Sequence, residues 1–196
     1  SLGRIQVCNL ALLRAGEEMP EAELVRGLED FVRHHKFLDV ARKGAHDSRF
    51  IRPMTDQDIA QLKAAKCPVM LTVAPNRVTP EHIRTLTSSG IRVSLGHSDA
   101  TSAEAAAAIA AGATAFTHIF NAMSQLTGRE PGMVGAALAS DAYAGLIADG
   151  HHAHPDAIRT ALKAKGRDRI MLISDAMPTA AGGPASFELQ GRKVNR

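Results

Sequence analysis

Three side chains suited to hydrolytic chemistry each close an apolar run. They are His97 in Leu95-Gly-His-Ser98, His118 in Thr114-Ala-Phe-Thr-His-Ile-Phe-Asn-Ala-Met123, and Asp175 in Ile173-Ser-Asp-Ala176. Neutral imidazole is a common ligand for zinc and similar divalent ions, and catalytic sites keep a coordination position open for water. A carboxylate beside such an ion could take a proton from the activated water and hand it to a leaving group. Taken singly, a histidine at a strand end is more often a hydrogen-bonded core or loop residue. On spacing alone, an aspartate there reads equally as a helix cap or turn closer and as a general base. Two histidines at successive strand ends shift the balance toward a ligand pair. His46, Asn121, Arg129 and His152 could grip an anion or a sugar, with arginine able to contact phosphate bidentately. Alone, each of these four reads as solvated surface. Asp149-Gly150 reads as a turn, and His82, in the first turns of a helix, as structural.

The elements that must position these groups follow a rhythm of helix and strand. Thr55-Asp-Gln-Asp58 caps a helix to about Ala65, and Pro68 to Val73 is a strand. Thr79-Pro80 opens a helix that stops at Gly90, because threonine caps and proline suits the first helical position. Ile91 to Leu95 is a strand, Thr101-Ser-Ala-Glu104 opens an alanine-rich helix, and Ala113 to Thr117 is a strand. Gly128 to Gly135 reads as a loop, followed by a helix to about Ala139. Tyr143 to Ala148 is a strand, Pro155 to Lys165 a helix, and Arg169 to Ile173 a strand. Upstream, Ile5 to Leu13 reads as one strand and Ala22 to Val32 as an amphipathic helix. Phe37 to Met54 is irregular, and the tail past Pro178 is loose until Phe187.

Repeated strand–helix units predict a parallel sheet, and buried apolar strands predict helices over them. The fold class is α/β. Polar side chains gathered at strand C-termini favour a (β/α)8 TIM barrel over a doubly wound sheet, since no glycine-rich dinucleotide fingerprint is present. A complete barrel takes about 250 residues. With 196 residues and five clear strands, the barrel is expected to be incomplete in this chain.

Bulk properties narrow the partners. Aromatic residues make up only 4% of the chain, which disfavours stacking platforms for nucleic acid. The net charge of +3 is spread without a basic run, which disfavours a nucleic-acid footprint but suits an anionic small substrate. No stretch approaches a membrane span or a signal peptide, so a cytoplasmic protein is expected. Cys8 and Cys67 read as buried free thiols of a reducing compartment.

The blocks Gly96-His-Ser-Asp-Ala-Thr101, Thr117-His-Ile-Phe-Asn-Ala-Met123, Thr127-Gly-Arg-Glu-Pro-Gly132, Ile147-Ala-Asp-Gly-His-His152 and Ser174-Asp-Ala176 occur in a recognisable order. Together with Arg42-Lys-Gly-Ala-His46, they resemble the N-acetylglucosamine-6-phosphate deacetylases, metal-dependent amidohydrolases of the TIM-barrel class. The resemblance covers about residues 37 to 196. It implies that His97 and His118 bind a divalent metal ion (zinc, iron or similar). Asp175 matches the catalytic aspartate, which activates the attacking water and then protonates the departing amine. Asn121 and Ala122 match contacts to the substrate phosphate, and His46 a contact to the sugar. Arg129 and His152 match phosphate-binding positions that in related enzymes reach across a dimer interface, so a homodimer acting on an N-acetylated amino-sugar phosphate is expected. His152 is preferred to His151 because the family pattern is Asp-Gly-x-His.

The chain departs from the family in specific places. The family's third metal ligand is a glutamate in a His-x-Glu-Gly-Pro segment before Phe37, where this chain has His34-His-Lys36. Asn76 stands where the family usually has glutamate after Ala-Pro. The β-sandwich domain and the last barrel elements are expected to be missing, leaving residues 1–196 as a single, partial catalytic barrel domain. Metal binding by the chain as written is expected to be weak or absent. The competing reading is a truncated, non-catalytic homologue that binds a sugar phosphate without turnover.

Overall fold

The computed structural model describes residues 6–7, 10–12, 35–65, 68–176, 183–189 and 192–195. The predicted helix over residues 22–32 lies outside them, as do both cysteines.

Helix α1 spans Asp56–Lys63, and strand β3 spans Val69–Val73. Three strand-bearing units follow: α2 (Pro80–Ser88) with β4 (Arg92–Leu95), α3 (Ser102–Ala110) with β5 (Ala115–Phe116), and α4 (Gly132–Ala139) with β6 (Tyr143–Ile147). Helix α5 (Pro155–Lys165) then leads to β7 (Ile170–Ile173). Strands β3 to β7 pair in parallel and in sequence order. This is the order a (β/α) barrel needs, because each crossover helix returns the chain to the neighbouring strand.

The predicted single strand over residues 5–13 is instead a hairpin of β1 (Gln6–Val7) and β2 (Leu10–Leu12). Strand β2 runs antiparallel to β3. A separate antiparallel pair, β8 (Ser186–Leu189) and β9 (Arg192–Asn195), lies in the tail.

Local chemistry explains the helix starts. Thr55 and Thr101 accept from the backbone N–H of Asp58 and Glu104, whose carboxylates reach back to complete capping boxes. Thr79 caps α2 ahead of Pro80. Helix α4 begins earlier than predicted, inside the expected 128–135 loop. There the Glu130 carboxylate accepts from Gly132 N–H at 2.9 Å and the Ser124 hydroxyl from Met133 N–H at 2.8 Å. Gly132 has φ +60, and a Cβ there would stand 2.9 Å from the Gln125 carbonyl oxygen, so only glycine fits that start.

The core lies between strands and helices. Val73, Val93, Leu95, Ile83, Leu86 and Leu146 are fully enclosed. Among the described residues strand β7 is one edge of the sheet, and Leu172 on it is 75% exposed. Three hydroxyls bond across strands on the sheet. Thr117 Oγ1 lies 3.0 Å from Thr72 Oγ1 and 2.6 Å from Ser94 Oγ. Gly96 leaves room for this cluster, since a Cβ there would meet Thr117 Cβ at 2.9 Å and Thr72 Cγ2 at 3.2 Å. No helix among the described residues is long and apolar enough to cross a membrane.

Asp58 ties the segment around Arg52 to α1. Its buried carboxylate accepts from both terminal nitrogens of Arg52, at 2.8 and 2.6 Å, and from the Thr55 N–H at 2.8 Å. Burial pulls the Asp58 pKa upward, but the Arg52 and Thr55 hydrogen bonds outweigh it and hold the pKa below its ordinary value. A carboxylate depressed in this way stabilises the fold above its unfolded pKa, and the gain is lost as pH falls through the folded value. Asp58→Ala should lower the unfolding free energy by about 2 kcal/mol near neutral pH, below the range for a fully buried pair because Arg52 is partly solvated. The difference from wild type should narrow on acidification; denaturant unfolding at several pH values checks both. In the same assay Gly96→Ala should cost about 1–3 kcal/mol through overpacking. Gly128→Ala, where a Cβ meets nothing within 4 Å, should stay within about 0.5 kcal/mol. Equal stability of the two glycine variants would contradict the packing described here.

Candidate functional site

Parallel register builds the site. Leu95 pairs with Phe116, so His97 and His118 each stand two residues beyond the same rung. Ile147 pairs with Ile173, so Asp149 and Asp175 stand two residues beyond another. At these strand ends the backbone turns sharply. His97 (φ 47), His118 (φ 33) and Asp175 (φ 47) all sit in the left-handed region, as do Phe120 (φ 79) and Ala122 (φ 48). These are the only non-glycine residues with positive φ among the described residues. Such conformations cost about 1–3 kcal/mol each and gather at functional sites. All three residues expected to carry the chemistry are among them.

His97 and His118 meet. Their Nε2 atoms are 3.0 Å apart, with ring planes inclined at 72°. His97 Nδ1 lies 3.0 Å from the Arg42 carbonyl, and donating a proton there leaves His97 Nε2 bare. His118 Nε2 then supplies the shared proton, and His118 Nδ1 is left buried with no partner among the described residues. Burial is the main force on both rings. It pushes the His97 pKa down to about 4, helped by His118 and opposed by the Arg42 carbonyl and the Asp175 charge. His118 is likewise lowered by burial, with Asp175 opposing. Both imidazoles are therefore neutral near pH 7, the form that ligates metals.

Moving the His118 proton from Nε2 to Nδ1 would leave both Nε2 atoms bare and facing one cation. Two nitrogens each about 2.1 Å from one ion stand about 3.0–3.4 Å apart, and the observed spacing fits. The second shell fits at His97, whose Nδ1 donates to the Arg42 carbonyl as a ligating imidazole ordinarily does, whereas His118 Nδ1 has no such acceptor among the described residues. The described residues contain no group of three His, Cys, Asp or Glu side chains arranged to hold a metal ion.

The other expected residues divide. His46 is buried against His97, ring centroids 4.9 Å apart, and burial, then His97 and Lys36, pushes its pKa down to about 3. Asp175 is solvent-exposed on the edge-strand side, and no hydrogen bond joins it to either imidazole among the described residues, but its charge acts on both. Asn121 and Ala122 occupy the loop after β5. There Ser98 N–H donates to the Ala122 carbonyl at 3.1 Å, and Ser124 N–H to the Ser98 carbonyl at 3.1 Å, tying the β4 and β5 loops together. Asn121 Nδ2 donates to the Ile119 carbonyl at 3.3 Å. His152 lies near enough for its charge to act on His118. Arg129 is exposed on a loop staked down by Glu130, whose carboxylate accepts from Ser102 N–H at 2.7 Å. The structure does not bond Arg129 to the histidine pair.

Two groups that sequence reading passed over help hold the site. Asp149, expected to be only a turn, accepts from the N–H of His151 and of His152, each at 2.9 Å. Its other oxygen is 2.6 Å from His152 Nδ1, which aims that ring. The Asp-Gly-His-His run carried this signal as an i, i+3 pair. Asp39 lies behind His97, and nothing local in the sequence marked it.

No family model matches the chain. It is 44% identical over 161 residues to an N-acetylgalactosamine-6-phosphate deacetylase of Shewanella sp. (strain ANA-3), covering 81% of this chain and 41% of that protein. It is 39% identical over 163 residues to an N-acetylglucosamine-6-phosphate deacetylase of Bacillus subtilis, again covering 81% and 41%. A crystal structure of N-acetylglucosamine-6-phosphate deacetylase from Pasteurella multocida superposes with a TM-score of 0.77 at 38% identity, over 82% of this chain and 42% of that one. The Mycobacterium smegmatis D267A variant in complex with N-acetyl-D-glucosamine-6-phosphate gives 0.75 at 29% identity, over 88% and 48%. The chain thus spans about two fifths of the length of the curated relatives it matches. Within that span the sequence motifs and the parallel (β/α) fold agree, and the chain belongs to the family of amino-sugar-phosphate deacetylases that includes the N-acetylglucosamine-6-phosphate deacetylases.

Proposed function

We propose that the protein hydrolyses the acetamide of N-acetylglucosamine 6-phosphate, giving glucosamine 6-phosphate and acetate. The observation that carries this reading is the pair of neutral, buried imidazoles of His97 and His118 with the Asp175 charge acting on both. His97 and His118 would hold a divalent cation, zinc, iron or similar. When bound, such an ion polarises a carbonyl oxygen and acidifies water, the two needs of amide hydrolysis. Asp175 accepts the proton of the attacking water and delivers it to the amine nitrogen as the C–N bond breaks. Its solvent-facing position leaves its oxygens open to substrate.

Asn121 and the Ala122 backbone, in the strained loop after β5, hold the substrate phosphate. His152, aimed by Asp149, and exposed Arg129 add further contacts to the same phosphate, in the setting of a homodimer. His46 faces the sugar from beside His97. Residues 1–196 form part of one catalytic barrel domain, and a phosphorylated sugar substrate fits a cytoplasmic enzyme.

A specific observation favours a second substrate. The 44% identity to the Shewanella relative makes N-acetylgalactosamine 6-phosphate the competitor, differing only at the sugar's 4-hydroxyl. Acetate release from both compounds by the full-length protein decides between them. Faster turnover of the glucosamine derivative is expected, and the reverse order would reassign the substrate. Asp175→Asn should reduce kcat by about 10²–10⁴, the usual weight of general acid–base catalysis, with sugar-phosphate binding retained in calorimetry. Near-normal turnover in that variant would remove Asp175 from its role. Binding without acetate release in the wild type would replace the enzyme with a non-catalytic sugar-phosphate binder.

A further inference from the structure

Both ends of His97 are tied to the backbone of the short turn that Asp39 caps. The His97 carbonyl accepts from Asp39 N–H at 2.9 Å. Its Nδ1 meets the Arg42 carbonyl, which closes the 3-10 turn Val40–Arg42 that Asp39 caps. The Asp39 side chain is 4% exposed. Its Oδ1 accepts from Ala41 N–H at 3.2 Å and from Arg77 at 3.1 Å. Its Oδ2 accepts from Asn76 Nδ2 at 2.6 Å and from Asp99 N–H at 3.3 Å. Asn76 continues the chain of bonds, its Oδ1 accepting from Ser98 Oγ at 2.7 Å, and Ser98 Oγ accepting from Ala100 N–H at 3.1 Å. Arg42 is held from outside by Asp99, with Nε donating to its carboxylate at 2.9 Å.

The side chain at position 76 must donate toward Asp39 and accept from Ser98. An amide does both. A carboxylate, as the family resemblance would place there, would set two negative charges at hydrogen-bond distance in a buried site, which is costly. Asn76 and Asp39 therefore form a matched pair. The pair sits between the loops after β3 and β4 and reaches His97 through the Arg42 carbonyl.

We propose that Asp39, Asn76 and Ser98 are positioning residues, a buried bridge that holds the Arg42 carbonyl on His97 Nδ1 and so keeps His97 Nε2 bare and aimed at His118 Nε2. This inference rests on the reading of His97 and His118 as a metal pair. The bridge acts on His97 indirectly, through the turn that ends at the Arg42 carbonyl. Outer partners of ligating histidines ordinarily contribute about 10- to 100-fold to metal affinity.

The test uses the full-length protein and Asn76→Asp, which keeps the side-chain shape and removes the donor. Long-range ¹H–¹⁵N NMR of the His97 ring at neutral pH reads the tautomer, and zinc competition against a chelator reads affinity. Wild type should show the Nδ1–H tautomer of His97. Asn76→Asp should mix in the Nε2–H form and weaken zinc about 10- to 100-fold. The exchange Asp39→Asn with Asn76→Asp restores a donor–acceptor pair and should return both readouts toward wild type. A folded Asn76→Asp protein with unchanged tautomer and zinc affinity overturns the proposal, as does a double variant no better than the single one. If Asn76→Asp does not fold, Ser98→Ala, which deletes only one hydroxyl, should show the same tautomer shift, and an unchanged His97 ring in it overturns the bridge. A wild type that binds no zinc defeats the metal reading instead, and the tautomer still decides the bridge.

Discussion

Parallel strand register is the constraint on which the rest depends. In a parallel ladder the bonds are evenly spaced, and residues at equal distance past one rung emerge side by side. The Leu95–Phe116 rung sets His97 beside His118, and the Ile147–Ile173 rung sets Asp149 beside Asp175. A one-residue slip of β4 against β5 would turn one histidine to the opposite face of the sheet. Gly96 and the Thr72–Ser94–Thr117 hydroxyl cluster guard that register from within. Left-handed backbone at His97, His118 and Asp175 then turns the chain sharply just past each strand end. That strain is sustained because buried strands and capped helices on either side leave the backbone no alternative.

Burial gives the pair its chemistry. An exposed imidazole is half protonated near pH 6.5 and competes poorly for a cation. Enclosure under the β4 and β5 loops drives both rings neutral and leaves His118 Nδ1 with no partner among the described residues. One proton satisfies the Nε2 contact but leaves His118 Nδ1 unpaired among the described residues, and such buried orphans in native structures ordinarily mark function. The Asp39 bridge adds direction to this.

Much of the fold was legible in the sequence because its signals are local. Thr55, Thr79 and Thr101 announce helices through caps that act within three residues, and the apolar runs before His97, His118 and Asp175 announce the strands. The start of α4 was not legible, because its donors are satisfied by Ser124 and Glu130 through loop geometry. The residue 5–13 run shows no period that separates one strand from a hairpin. At the site, the histidine pair could be read from two strand ends in succession. Asp39 could not, since its partners Asn76, Arg77 and Asp99 are distant in sequence and meet only through the sheet. Asn76 looked like a simple departure from the family pattern. Its meaning emerges only with Asp39 facing it.

The account stands on His97 and His118 sharing one ion. X-ray absorption spectroscopy of the full-length protein loaded with one equivalent of zinc tests this most directly, compared with His97→Ala and His118→Ala. The account predicts multiple scattering from two imidazole ligands in the wild type and from one in each variant. A wild-type spectrum without histidine scattering, or one that neither substitution alters, would contradict it.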